Sequence, residues 1–439
     1  MLSIIKPYGV GKVADQYKDL FPNSYMTYAN LCALFCLYLF GLESISALLR
    51  SCGWCSSTSE LSRAVNDFNV YDKDNDGTDK NMPIKNRFMR RAVASILKKF
   101  PDMNEEDFIF ALDDTGNPRY GKNHHGVGVW ANSSGGKFYG QKILVLAIVN
   151  LNTKQAYPIG YIFLRKLDEN NPENHETGHE AGIRLLKEAL NNGFPTLPLA
   201  ADSWFGSIDM MEEVKKLNIN FTSELKSNRN MKDNISPNVK FKKAAEIFKD
   251  EEKIKTDSKR QYPRRTNKND DIKYYAEKIL FLKDSNRPYK VVAVYNKKND
   301  KEPFSVYINM DIKKSGEWIW SLSRARWCIE TMFRNLKQNL SFGRLPSECK
   351  EGSDLSVCLP FALYISLCWK KQEFFDIKMF GSGTIGTLIN RIRELNINKT
   401  LNIMMINPSH SCLKLLMSRR DIMKINKNPV NTPSEQLSA

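Results

Sequence analysis

The segment between Phe108 and Glu224 restricts the possible folds most. Phe108–Asp113 is a short apolar run that closes on acid, and Lys142–Leu151 is an almost unbroken apolar run of the kind that lies inside a sheet. Ala156–Leu164 predicts a third strand, and Glu180–Leu190 carries Ile183, Leu185, Leu186, Ala189 and Leu190 at the spacing of an amphipathic helix. Leu197–Asp202 then predicts a strand, Ser207–Leu217 a helix, Asn220–Glu224 a strand, and Ser321–Leu340 a long, distant helix. Three strands followed by alternating helices and strands require an α/β layer structure with both faces of the central strand covered.

The flanks read differently. Residues 1–100 are helical: Leu31–Leu42 predicts a buried helix, Ser57-x-x-Glu60 a capping box, and the basic stretch Lys85–Phe100 a further helix. Around Ser51–Ser56 two short helices suit either a helix-turn-helix or an ordinary helical hairpin. Residues 225–318 read as a β-rich insertion whose first half is basic and loop-like. The tail after Gly343 returns to helix, and Asn428–Ala439 is expected to fray.

The chain has 65 Lys plus Arg against 49 Asp plus Glu, a net charge of +16, which favours a polyanionic partner such as nucleic acid. Nine cysteines, scattered through apolar stretches, suit buried reduced thiols in a cytoplasm and not a disulfide framework. No signal peptide is evident, and Leu31–Leu42 and Leu355–Trp369, the latter interrupted by Pro360, fall short of the ~20 residues that span a bilayer. A membrane partner is therefore not expected.

Carboxylates at the ends of buried strands occupy rigid positions where distant segments converge. Asp113 (or its neighbour Asp114) and Asp202 stand at such ends, each also suited to start a turn. Oxygen-only donors of this kind suit Mg²⁺. On the helix Ser321–Leu340, Arg326, Arg334 and Lys337 fall within about forty degrees of Glu330, beside an apolar arc of Leu322, Ile329, Met332, Phe333, Leu336 and Leu340. One side of this helix packs, and the next presents one carboxylate among three cations. A salt-bridge ladder would explain that arrangement alone. Beside two strand-end aspartates, it reads as a third ligand with cations for phosphate.

Other motifs carry less. His175-Glu176-x-x-His179 copies a zinc-peptidase pattern, but its polar flank, Gly178 within the turn and Leu185 at the third-ligand position oppose that chemistry. Asp72–Thr78 copies half of an EF-hand loop yet has Pro83 where a bidentate Glu is required. Cys52-Gly-Trp-Cys55 lacks a preceding strand and a second such pair. His124 and His125 fall in a connecting loop, while Trp204, Trp318 and Trp320 suit packing or base stacking.

The element order, Asp113-Asp114-Thr115, the segment Ala201-Asp202-Ser203-Trp204-Phe205-Gly206, and Arg326-x3-Glu330-x6-Lys337 together resemble the DDE transposases of bacterial insertion sequences, of the fourth-family type. That family's tyrosine, three positions before the arginine, is Ser323 here. The resemblance runs from about Phe108 to Leu345. It implies an RNase H-like mixed-sheet core in two parts, 101–224 and 319–345, interrupted by the 225–318 insertion and flanked by a helical DNA-binding region at 1–100 and a helical region at 346–439. It further implies Mg²⁺-dependent cleavage and strand transfer of double-stranded DNA by two ions held by Asp113, Asp202 and Glu330, with Mn²⁺ able to substitute. Asp114 stands as the alternative to Asp113, and Arg326, Lys337 and Arg334 would contact phosphate. A homodimeric synaptic complex and a cytoplasmic, nucleoid-associated location follow from the same resemblance. The competing expectations are an inactive transposase-derived DNA-binding protein and a zinc peptidase built on His175, Glu176 and His179.

Overall fold

The structure is a computed structural model that describes residues 10–21, 25–42, 44–46, 57–70, 86–119, 121, 123–131, 135–167, 175–226, 229–233, 238–249, 251–256, 273–283, 285–345, 347–376 and 384–394. The Cys52–Cys55 and Asp72–Thr78 motifs, the possible helix-turn-helix and the C-terminal dozen residues lie outside that set.

Strand β1 (Phe108–Pro118) runs antiparallel to β3 (Lys137–Asn150) along its whole length, from Phe108↔Asn150 to Pro118↔Gly140. On the other side β1 pairs in parallel with β5 (Leu199–Ala201), and β5 with β6 (Phe221–Glu224). β4 (Gln155–Leu164) pairs antiparallel with β3. The order β4-β3-β1-β5-β6, with three antiparallel strands followed by two parallel ones, is the mixed sheet of an RNase H-like core. Ile143 through Val149 of β3 are fully buried, and each Ile, Leu and Val among them stabilises the core by about 1.5–3 kcal/mol.

Two strands differ from their sequence patterns. β1 continues five residues beyond Asp113, because β3 starts at Lys137 and supplies partners as far as Gly140. A further strand, β2 (Val127–Ala131), forms a hairpin with the early part of β3. The glycines and polar residues around it hide its alternation.

Helices cover both faces. α1 (Val10–Asp15), α2 (Tyr28–Leu39), α3 (Thr58–Asn66) and α4 (Arg87–Lys99) precede the sheet. At α3 only half of the expected capping box forms: Ser57 caps the Glu60 amide, while the Glu60 carboxylate accepts from Asn30 Nδ2 at 3.2 Å. α5 (Gly178–Asn191) does carry a full box, Thr177 with Glu180, and packs on β3 and β4 beside α6 (Ile208–Lys216). A short α7 (Ala244–Ile247) lies among β7 (Asn230–Lys232), β8 (Lys242–Lys243) and β9 (Ile254–Lys255).

The strands of the 225–318 segment extend the core sheet instead of forming one of their own. β12 (Ser305–Asn309) pairs with β6, β11 (Pro288–Tyr295) with β12, and β10 (Tyr274–Leu282) with β11. The chain then enters α8 (Gly316–Asn339), capped by Ser315, which crosses beneath β1, β5, β6, β11 and β12. α9 (Lys350–Asp376) is apolar and long enough to cross a membrane, but 89% of its apolar window is buried against the rest of the fold. It is a core helix, packed on α1 to α4 and β4. Residues 385–394 form a further helix.

Candidate active site

The register of three parallel strands builds the site. Leu112, Ala201 and Ser223 are aligned across β1, β5 and β6. The next residue on each segment is Asp113, Asp202 and Glu224, so three acids follow one row. Side chains alternate along a strand. Leu112 faces α5, where a methyl added at Gly182 would stand 2.8 Å from its Cδ2, so Asp113 faces the opposite layer, α8. Asp113 is not at the end of its own strand. It lies one step past the end of β5, where the sheet opens between β1 and β5.

Asp202 begins a turn, as its residue type favours. Its Oδ1 accepts from the Trp204 amide at 2.9 Å, and its carbonyl from Phe205 at 3.2 Å. Its charge acts on Asp113, Asp114, Glu224 and Arg326.

α8 brings one guanidinium and one carboxylate to this place. Arg326, only 9% exposed, donates through Nη1 to Asp113 Oδ2 at 2.8 Å and through Nη2 to Glu330 Oε1 at 3.0 Å. A single cation thus bridges two acids. Burial, and then repulsion from Asp202, Asp114 and Glu330, raise the Asp113 carboxyl to about 7 against the pull of Arg326. Arg326 shifts the other way from a simple burial effect: its surrounding acids outweigh desolvation and hold it charged. The two directions describe one situation, an excess of buried negative charge with one internal counter-ion.

Asp114 belongs to the other face. Its Oδ2 pairs with Lys142 Nζ at 2.9 Å, and that ammonium also lies 4.9 Å from the ring centre of Trp204, which is 40% exposed. Burial raises the Asp114 carboxyl, with Lys142 opposing. Lys337 donates to the Gly116 carbonyl at 2.7 Å, and burial lowers its ammonium while Asp114 raises it. Arg334 is exposed. Ser323, where the resemblance expects tyrosine, is buried.

The structure brings Asp113, Arg326 and Glu330 into contact, with Asp202 in electrostatic reach, while Lys337 reaches the Gly116 carbonyl and the charge of Asp114. Among the described residues, no three His, Cys, Asp or Glu side chains already enclose a metal position. The donor set nevertheless suits a hard divalent cation, since it is all carboxylate and its negative charge is under-compensated. Arg326 supplies positive charge between Asp113 and Glu330 where such a cation would have to act.

The peptidase-like motif is occupied otherwise. His175 and Glu176 precede the Thr177 cap, so no helical turn pairs the two histidines. Glu176 receives a two-pronged ion pair from Arg184 at 2.7 and 2.6 Å, and His179 Nε2 contacts the Trp204 carbonyl at 3.0 Å. His125 is pushed down to about 4, chiefly by burial. Trp320 is buried and Trp318 packs beside it.

Sequence reasoning missed Glu224 and Lys142. Asn220–Glu224 was recognisable as a strand, and the acid at its end is the same signal that marks Asp202. Lys142 opens an apolar run and gives no signal until β1 and β3 are paired.

A mixed α/β fold of this topology, with acids on the middle strands and a glutamate-bearing helix beneath, defines an RNase H-like enzyme core. Residues 107–365, more than half of the chain, match the family model described as "Transposase DDE domain". The chain belongs to this family of DNA-binding enzymes, which cut and transfer DNA strands. No curated protein sequence matches it. Among solved structures it is similar to a piggyBac transposase, seen by cryo-EM as a synaptic complex with hairpin DNA. The TM-score is 0.48 at 12% identity, over 93% of this chain and 78% of that one.

Proposed function

We propose that this chain is an insertion-sequence transposase that cleaves DNA at the ends of its element and joins them to a target, with Asp113, Asp202 and Glu330 as its catalytic carboxylates. The observation that carries the reading is the Arg326 fork, which ties Asp113 of the sheet to Glu330 of α8 at 2.8 and 3.0 Å, beside Asp202. Two acids 217 positions apart, at 113 and 330, meet through one guanidinium.

The three carboxylates would hold Mg²⁺, two ions by the family resemblance, with Mn²⁺ as a substitute. Bound there, the metal would supply activation of the attacking oxygen and stabilisation of the leaving one in an in-line displacement. The protein's own contribution is positional. The sheet would fix Asp113 and the turn after β5 Asp202, the Arg326 bond would hold the half-buried Glu330, and the burial of Asp113 and Arg326 would strengthen the charge interaction between them. The opposed faces favour Asp113 over Asp114 as the ligand, because Asp114 is paired with Lys142.

Lys337 and the exposed Arg334 are suited to phosphates near the cleavage point. Arg326 can join them only by leaving its two acids. The basic helix α4 supports a DNA-binding role for residues 1–100, with 225–318 as an insertion and 346–439 as a helical region. A homodimer on paired DNA ends, acting at the nucleoid in the cytoplasm, completes the proposal.

The test is cleavage of labelled duplex DNA bearing the element's ends, with Mg²⁺ titrated in. Asp202→Asn and Glu330→Gln should bind that DNA as the parent does yet leave it uncut. Parental cleavage by either variant would end the assignment.

A further inference from the structure

The row that places Asp113 and Asp202 does not stop at β5. Ala201 is aligned with Ser223, so Glu224 occupies on β6 the position that Asp202 occupies beside β5 and Asp113 on β1. Ser223 faces the turn after β5, where a methyl added at Gly206 would stand 2.8 Å from its Oγ. By strand alternation Glu224 faces the opposite layer, which is α8. Across β6 on the other side, Glu224 is paired with Tyr307 of β12. Both Glu224 and Tyr307 are within electrostatic reach of Arg326. The Glu224 backbone is paired in the sheet, and among the described residues its carboxylate has no hydrogen-bond or ion-pair partner.

Arg326 therefore has acids on two sides. Toward β1 and along its own helix it holds Asp113 and Glu330, and toward β6 stands an uncommitted carboxylate. If Asp113 and Glu330 serve as cation ligands, the guanidinium held between them and the incoming cation are like charges on the same two carboxylates, and their repulsion weakens both Arg326 bonds. A buried guanidinium left without an acceptor is costly, and its cost would be subtracted from cation affinity. Asp114 cannot receive it, being on the other face with Lys142. Asp202 is itself in the ligand set and accepts from the Trp204 amide.

We infer that Glu224 is the second seat of Arg326: the guanidinium passes from Asp113 and Glu330 to Glu224 when those two carboxylates engage a divalent cation. Glu224 is thus a positioning residue that acts through Arg326, and no bond is made or broken in the exchange beyond hydrogen bonds. This inference rests on the assignment of Asp113, Asp202 and Glu330 as the cation-holding acids.

Mn²⁺ binding to the full-length, DNA-free protein, followed by electron paramagnetic resonance, tests it without any cleavage readout. Glu224→Gln should weaken Mn²⁺ binding about tenfold, and Glu224→Asp, which keeps the charge, should recover most of that loss. In an Arg326→Gln background the Glu224→Gln change should shift affinity by less than about twofold, because no guanidinium then needs a seat. Arg326→Met serves as a second neutral background if thermal melting shows that the first does not fold. Parental Mn²⁺ affinity in Glu224→Gln would overturn the inference, and so would a tenfold loss that persists without Arg326, which would make Glu224 act on the cation directly. Asp202→Asn is the control for the underlying assignment: parental Mn²⁺ affinity there would remove that assignment, whatever the Glu224 variants do.

Discussion

Asp113 and Asp114 are the same residue type, adjacent on the same strand, and the sheet separates them into two different environments. Beneath the sheet Asp113 meets Arg326 and through it Glu330, with Asp202 and Glu224 in the same row. Above it Asp114 has its own ammonium, Lys142, which is also shared with the ring of Trp204. On the Lys142 face charge is matched one to one. On the Arg326 face one described cation faces several acids, and burial first, then repulsion from Asp202, Asp114 and Glu330, raises the Asp113 carboxyl to about 7. The difference teaches that face, and not residue type, decides which acid has capacity left for a further cation.

Substitution of both acids would break this contrast most directly. Asp113→Asn should lower DNA cleavage by roughly 1,000-fold or more with DNA binding retained, whereas Asp114→Asn should stay within about tenfold of the parent. Equal losses in the two variants, measured in single-turnover nicking assays, would show that the faces do not divide the work.

A second test concerns what holds the Arg326 face together. Gly343 follows α8 with φ +71°, and a methyl there would stand 2.6 Å from Asn117 Nδ2. Asn117 in turn donates to Gln141 Oε1 at 2.9 Å and to the Gly343 carbonyl at 3.0 Å, joining β1 to the chain leaving α8. Gly343→Ala should lower unfolding free energy by about 2–3 kcal/mol in denaturant titration, since backbone strain and steric overlap add. A loss under about 0.5 kcal/mol would mean that α8 is anchored elsewhere.

Proton linkage sharpens the comparison further. The Asp113 carboxyl titrates near 7 in the fold and near about 4 in the unfolded chain. Between those values the native state binds more protons, so this group's contribution to stability falls as pH rises, and the loss is complete above about 7. Without divalent cation, the melting temperature of the parent should therefore gain on that of Asp113→Asn as pH is lowered from 8 to 5. Parallel pH profiles for the two would contradict the combined burial and repulsion assigned to Asp113.

The smallest expected effect is on the matched face. Lys142→Met removes one partly buried ion pair and two cation–π contacts, to Trp204 and Trp130, and should cost about 1 kcal/mol of stability by the same denaturant titration. A cost of several kcal/mol would show that Asp114 is as poorly compensated as Asp113.

The sequence marked both strands and the helix, because their apolar patterns are local and strong. Lys142–Leu151 reads as a buried strand, and Ile143–Val149 are fully buried. Ser315 and Thr177 cap their helices with hydrogen bonds of a kind legible in short sequence spans. Harder to read was the hairpin of β2 with early β3, whose glycines and polar residues mask alternation. The direction of Arg326 was harder still. Helical spacing places it beside Glu330, but phosphate contact and an internal fork satisfy that spacing equally.

The order of strands and helices, the acids at 113, 202, 224 and 330, and the basic surplus are properties of the chain itself, since periodicity, residue chemistry and charge are local or additive. Pairing β1 with β5 and β5 with β6 decided which acids share a face. Seating α8 beneath them decided that Arg326 joins residues 113 and 330, and that Lys142 takes Asp114 on the other side. Those choices depend on strand register and on helix packing, the latter between residues 213 positions apart at Asp113 and Arg326, and no local pattern encodes them.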